Sequence, residues 1–331
     1  MLSFILRRLL IIIPMALLVV TLTWGLIRIA PGNFYSSEKK LPAAVEENIK
    51  KKYGLDKPWY QQYGIILGNI SCWSKAKDDT SQNGLQFTVP KLGINIKCFD
   101  FGDSVRYQGQ SVNEIIRRHL PYSATVGILA YLLALAVGLT AGIVAALKQN
   151  SAFDYGSMAL AMLGLSVPNF VLGPILVLCF ALGLYILPPA RWGGVSSIIL
   201  PVITLAAIYM AYIARLTRAG MLEVMRSDYI RTARAKGLDE KTVLLKHGLR
   251  GGIIPVVSFT GPALAALLAG TVVVERVFAI PGLGKIFIEA VFNRDEPLIL
   301  GIVAFLSILI MIFNLLVDIS YGFLDPRIRY E

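Results

Sequence analysis

Long uncharged stretches alternate along this chain with polar connections, and most of them approach the roughly 20 residues a helix needs to cross a hydrocarbon core about 30 Å thick. Six such runs stand out, at 9–30, 124–147, 156–187, 196–214, 251–274 and 297–317. The third is long for one straight span, and Pro168 within SVPNF predicts a kink or break in it. Arg7 and Arg8 precede the first run as they would in a signal peptide. That run is too long for a signal core and no small-residue cleavage pattern follows, so it reads as an uncleaved span. The pattern predicts an all-α polytopic membrane protein: an N-terminal transmembrane helix over 1–30, an extramembrane segment over 31–122, and a core of five further helices over 123–331.

Composition agrees with this reading. A mean hydropathy of +0.65 with only 16% charged residues is too apolar for an ordinary soluble domain. The Lys and Arg residues then set orientation. With both termini inside, Arg7, Arg8, Lys148, nine basic residues from Arg215 to Arg250, Arg327 and Arg329 all face the cytoplasm. The short outer loops hold only Arg191, Arg276, Lys285 and Arg294. The positive-inside rule therefore favours cytoplasmic termini, and the net charge of +11 needs no nucleic acid to explain it.

The segment 31–122 is the one sizeable extramembrane piece on this topology, and its turn-rich sequence suggests a small folded cap. Cys72 and Cys98 both lie in it, whereas Cys179 falls in the third apolar run. On an oxidising side the first two form either a disulfide or two free thiols.

The stretch 219–250 is unlike its surroundings. Met221, Met225, Tyr229 and Ala233 recur every four residues, which places them on one helical face with Arg226, Arg231 and Arg234 elsewhere. Gly237 interrupts, Asp239 suits an N-cap with Glu240 in the first turn, and Lys246, His247 and Gly248 suit a helix end. The cues predict helix, turn, helix. Three uses fit such a basic hairpin: an amphipathic element lying on the inner leaflet, a lever docking into an acidic groove of a soluble partner, or a nucleic-acid patch. The last lacks interleaved aromatics beyond Tyr229 for stacking bases.

Polar residues inside or at the ends of spans are the other candidates. Asn314 and Asp318 share one face of the sixth run, and Asp318 lies near its cytoplasmic end, where pairing with an arginine of the C-tail or hairpin is favoured over substrate contact. Glu275 and Arg276 close the fifth run at the outer side, as a gate or as a mutual pair. Gly138 and Gly142 form a G-x-x-x-G step suited to close helix packing.

YIRTARAKGL followed by KHGLRGGIIPVV resembles the cytoplasmic signature of permeases of binding-protein-dependent ABC importers, in its peptide and nickel branch. The general signature reads Glu-Ala-Ala, three residues, then Gly. Here Arg231, Thr232 and Ala233 hold the first three places and Gly237 the glycine, so the leading acidic residue is replaced. LRRLLIIIP with IAPGNF, KYGLDKPWYQQYG, FGDSVRYQGQSV, LPYSATVGI, SVPNFVLG, AIPGLGKIF, FNRDEPLILG and LVDISYGFLDPRIRY extend the likeness over nearly the whole chain. It fails mainly between Ile70 and Cys98, which looks like an insertion at about 70–98.

The resemblance implies a six-helix type I ABC importer permease in a bacterial cytoplasmic membrane, similar to the B-type subunit of oligopeptide permeases. Dipeptide, glutathione and nickel permeases are near relatives. It implies that Tyr229, Arg231, Thr232, Ala233, Arg234, Ala235, Lys236, Gly237 and Leu238 form a coupling helix seated on a cytoplasmic ATPase. It also implies a second permease, two ATPase subunits that bind ATP and Mg, a substrate-binding protein outside, and a peptide as cargo. A membrane scaffold without transport activity is the rival from another class.

The chain carries no phosphate loop of its own. PGLGKIF lacks the first glycine, with Ala279 in its place, and has Ile286 where Ser or Thr is required. The two histidines, His119 and His247, fall in different compartments, and no catalytic site, metal site or cofactor site is expected.

Overall fold

The computed structural model describes residues 2–29, 56–70, 74–75, 85–89, 94–189, 191–270 and 272–324. These divide into two compact units. The first draws on Met1–Leu10, Pro121–Lys285 and Leu309–Glu331, the second on Ile11–Leu120 and Ile286–Ile308.

The helices, in chain order, are α1 (Leu2–Ile29), α2 (Trp59–Ile70), α3 (Val112–Leu147), α4 (Ala152–Ser166), α5 (Asn169–Leu176), α6 (Val195–Met225), α7 (Asp228–Ala235), α8 (Glu240–Thr242), α9 (Leu249–Gly252), α10 (Ile254–Gly270), α11 (Val272–Val277), α12 (Leu283–Asn293) and α13 (Glu296–Leu324). π-helical turns extend α5 over Val177–Gly183 and join α8 to α9 over Val243–Gly248.

Among the described residues four helices are long and apolar enough to cross a membrane, around Ile5–Ile29, Val112–Leu147, Val195–Met225 and Glu296–Ser320. A fifth arises if α4 and the extended α5 form one broken span, bent by 106°. That bend falls where Pro168 predicts it. Val167 before the proline is extended, with φ −92° and ψ 112°, because the ring excludes the helical region there. The fifth run read from the sequence, 251–274, is not one helix: a turn at Ile253 separates α9 from α10, which is 17 residues long.

Two further departures have local causes. α3 begins at Val112, ahead of the expected start at 124, because Arg117, Arg118 and His119 occupy helical turns that an apolar window rejects. The Glu114 amide donates to Ser111 Oγ at 3.2 Å, so SVNE is an N-terminal capping sequence. The interval 70–98 holds a small antiparallel sheet of β1 (Ser74–Lys75), β2 (Leu85–Val89) and β3 (Ile94–Cys98), with β3 central and Leu85 to Val89 registered against Cys98 to Ile94. The Cys72 to Cys98 pairing lies outside the described residues. Cys179 is a free thiol on an exposed helical surface.

The first unit is organised on α6, 31 residues and about 45 Å long. Leu200, Leu205 and Ile213 of α6 share an apolar core with Val126, Ala130 and Ala134 of α3, at helical spacing, and with Val256, Ala263 and Leu267 of α10. Glycines set the separations. A Cβ on Gly138 would lie 2.8 Å from Ile213 Cβ, and one on Gly142 would lie 2.6 Å from Thr217 Cβ, both closer than real Cβ contacts. The G-x-x-x-G step thus seats α3 on α6, the two running in the same direction. α4 approaches α6 through Gly164, whose Cβ would lie 3.1 Å from the Ala207 carbonyl.

In the second unit Arg28 of α1 bonds Gln62 of α2, pairs with Glu296 at 3.5 Å and lies over the Trp24 ring. Asp295 gathers the loop of FGDSVRYQG. It accepts from Ser104 Oγ at 2.5 Å and from the Val105 and Arg106 amides at 3.2 and 3.1 Å, while capping α13 at the Leu298 amide. Tyr107 Oη donates to Glu289 at 3.0 Å; burial, with that carboxylate, pushes its phenol up to about 12.

Candidate functional site

α6 ends at Met225 because Arg226 and Ser227 fold back: their amides bond the Glu223 and Val224 carbonyls at 3.3 and 3.0 Å, and Ser227 Oγ donates to the Val224 carbonyl at 2.6 Å. α7 restarts at Asp228 in a new direction. The four-residue recurrence from Met221 to Ala233 therefore crosses a helix boundary and does not describe one face. Met221 is buried, Tyr229 is 48% exposed, and the inward face of α7 is Ile230 and Ala233, packed with Val243 against Val224 and Met225.

The turn after α7 is built as the sequence predicts. Gly237 has φ +77°, and the Leu238 and Gly237 amides bond the Ala233 and Arg234 carbonyls at 3.4 and 2.9 Å, a Schellman closure. Asp239 caps α8 by accepting the Thr242 amide at 3.2 Å, and its bonds to Thr242 hold its carboxyl below the usual carboxylate range. Arg234 Nε and Nη2 reach across the turn to Glu240 at 2.8 and 3.2 Å, which keeps the guanidinium above its ordinary value. Arg231, Thr232, Ala235, Lys236 and Leu238 face outward with Tyr229. The hairpin presents a basic, solvent-facing rim on a pinned turn.

Gly248 does not close the second arm. Its φ is −70°, and the π-helical turns continue through it into α9. Its value is proximity: a Cβ there would lie 2.9 Å from Met225 Sδ, and one on Gly251 would lie 3.0 Å from Tyr229 Oη and Val224 Cγ2. Gly252 and Gly220 bring α9 and α6 together backbone to backbone, where a Cβ on Gly220 would lie 3.2 Å from the Gly252 carbonyl carbon. These glycines seat the second arm on the end of α6, where Ile230 and Ala233 pack the first against Val224 and Met225.

A second anchoring point was not apparent in the sequence. At the corner between α3 and α4, Ser151 caps α4 by accepting the Asp154 amide at 3.3 Å, and Asp154 accepts the Asn150 amide at 3.0 Å. The same carboxylate receives Arg218 Nε and Nη2 of α6 at 2.6 and 2.7 Å. SAFD is the local signal of the cap; nothing local marks an arginine 64 residues away.

The remaining candidates separate. Glu275 is fully buried and turned inward: Ser123 Oγ donates to its carboxylate at 2.6 Å and the Lys285 amide at 2.9 Å. Ser123 Oγ also accepts the Leu283 amide at 2.8 Å, so α3, α11 and the start of α12 meet at one hydroxyl. Arg276 is exposed. Asp318 pairs with Arg8 of α1 at 3.1 Å, whereas the sequence pointed to the C-tail or hairpin for such a partner. Asn314 is exposed on the same helix.

Residues 138–330 match the family described as binding-protein-dependent transport system inner membrane component. The chain is 41% identical to an oligopeptide transport system permease protein of Haemophilus influenzae, with 100% of both chains covered. It is 39% identical to the Escherichia coli oligopeptide permease protein over 100% of both, and 39% identical to a dipeptide transport system permease protein of Bacillus subtilis over 95% of this chain and 93% of that one. The solved MetNI methionine ABC transporter in inward-facing form aligns with a TM-score of 0.52 at 16% identity, covering 64% of this chain and 96% of that one.

Proposed function

This chain belongs to the family of inner membrane components of binding-protein-dependent transport systems, and on that premise we propose that it carries peptides inward as one of two permease subunits of an ATP-driven importer. The observation that carries the mechanism is the hairpin. It offers a basic rim, its turn is pinned by Arg234 and Glu240, its first arm packs on α6 through Ile230 and Ala233, and its second is seated there by glycines. A displacement of α7 is therefore not absorbed in the turn but passes to α6, against whose end Ile230, Ala233 and Val243 pack. Such an element suits a lever pulled by a closing ATPase dimer.

In this reading the hairpin and both termini are cytoplasmic, in line with the distribution of Lys and Arg. Six segments cross the membrane, the bent α4–α5 pair and α10 being the two irregular ones. This chain holds no cofactor; two partner ATPase subunits bind ATP and Mg, and a binding protein delivers the cargo outside. The buried Ser123–Glu275 contact holds the outer turn 279–285, with Arg276 beside it.

Recovery of the chain from native membranes in mild detergent tests the assignment. A second permease, ATPase subunits and peptide-dependent ATP hydrolysis should accompany it; a chain that purifies alone and inert across several detergents would sink the proposal. The dipeptide permease relative is as similar as the Escherichia coli oligopeptide one, so uptake should be compared with dipeptides and with peptides of about five residues.

A further inference from the structure

The corner between α3 and α4 is tied to α6 at two points that the hairpin alone does not require. Asp154 is 1% exposed, and its carboxylate takes both Arg218 Nε and Nη2 in a forked pair. Further along α6, at the residue where that helix gives way to the hairpin, Arg226 Nη2 donates to Gln149 Oε1 at 3.2 Å. Arg218 precedes Gly220, the seat of the hairpin's second arm, by two residues, about 3 Å of helical rise.

The register shows what this pair can do. Asp154 meets Arg218 and Gly164 meets Ala207, so α4 packs antiparallel along α6, with the ion pair near its first turn and the glycine near its last. The Gly164 contact is smooth, a missing side chain against a carbonyl, and does not interlock. The Asp154 contact is directional, because a planar guanidinium received by one carboxylate fixes both distance and orientation. With Asp154 buried and Arg218 partly so, the pair is a poor source of net stability, and an apolar pair would hold two helices at least as well. Its distinct contribution is registry.

We propose that Asp154 and Arg218 are positioning residues that make α4 follow α6 when the hairpin is displaced, so that the broken span moves with the lever. The proposal rests on the coupling reading given above. It adds α4 to the elements that ATP closure drives.

The test uses the complete transporter in proteoliposomes, with binding protein and peptide, comparing wild type with Asp154→Asn and Arg218→Lys at equal amounts of assembled complex. Peptide uptake per ATP hydrolysed should fall about tenfold for Asp154→Asn, within the range typical of coupling between two sites. Arg218→Lys keeps the charge and loses the fork, and should fall between. A purely structural pair would lower the amount of complex and leave that ratio unchanged. Spin labels at exposed Leu160 and Lys236, in a background without the three natural cysteines, supply the direct readout. Their separation should stay constant between nucleotide-free and ATP-trapped wild type and change in Asp154→Asn.

Equal uptake per ATP in all three proteins, or a label separation that responds to ATP alike in wild type and variant, overturns the proposal. If Asp154→Asn fails to assemble, Arg218→Lys decides alone by the same ratio. Wild-type complex that hydrolyses ATP and moves no peptide would instead overturn the transport reading.

Discussion

Replacing Ser123 by alanine removes one oxygen that two buried groups share. Ser123 Oγ donates to Glu275 at 2.6 Å and accepts the Leu283 amide at 2.8 Å, and all three residues are at most 1% exposed. A hydrogen bond to a charged group contributes about 1.5–3 kcal/mol, and an orphaned buried amide costs about 1–3 kcal/mol. The Lys285 amide still reaches Glu275 at 2.9 Å, so the loss is confined to detachment of the turn 279–285. Taking about 3 kcal/mol, the population with that turn open rises about 150-fold. Hydrogen exchange of the turn's amides, read by mass spectrometry on the solubilised protein, should show protection falling by that factor. Ser157→Ala removes a hydroxyl that bonds only the Asp154 carbonyl of its own helix, and should leave the turn unchanged. Unaltered exchange at 279–285 in Ser123→Ala would show that the hydroxyl is not the turn's anchor.

Other consequences are open to measurement. Gly237 has no atom within 4 Å of where a Cβ would stand, so Gly237→Val introduces only backbone strain, about 1–2 kcal/mol. Uptake per ATP should fall while insertion persists, and full coupling in that variant would refute the lever. Asp239 has a folded pKa below its unfolded one, so its cap contributes above about pH 4 and is lost as pH falls through the folded value. The Thr242 amide should lose protection only in acid, and in Asp239→Asn that acid step should vanish. Asp295→Ala leaves Ser104 Oγ and three amides without their acceptor and should destabilise the second unit by at least about 3 kcal/mol, read as an early thermal transition in detergent. Tyr107 titrates about two units above a free tyrosine, so it favours folding below pH 10 and loses that contribution as pH rises toward 12; its tyrosinate absorbance should appear only there.

The features legible in the sequence are those with local causes. Apolar runs marked the long helices, Pro168 marked the bend, and Gly237 with Asp239 marked the turn, because backbone sterics and caps act over a few residues. The early start of α3 was also marked, by Ser111 and Glu114, but hydropathy hides a charged first turn. Tyr229 was placed on one face with Met221 because periodicity says nothing of a helix break at Arg226 and Ser227. Gly248 was read as a cap when its role is close approach, a distinction that needs the neighbour in place. The partners of Glu275 and Asp154 could not be read, since Ser123 and Arg218 are distant from them along the chain.

α6 meets α3 at Gly138 and Gly142 and α4 at Gly164, where the neighbour has only a hydrogen atom in place of a side chain. Interdigitated leucines would have to unmesh before adjacent helices could shift; where glycine floors the seam there is little to unmesh. Such seams favour shear, a gliding of whole helices with little repacking, over the opening of a hinge. The ion pair at Asp154 is then the stop on one of these slides. A valine or leucine at Gly138, Gly142 or Gly164 would roughen the track itself, and such a protein should run cold: assembled and loaded with ATP, yet with a steeper temperature dependence of transport than the original.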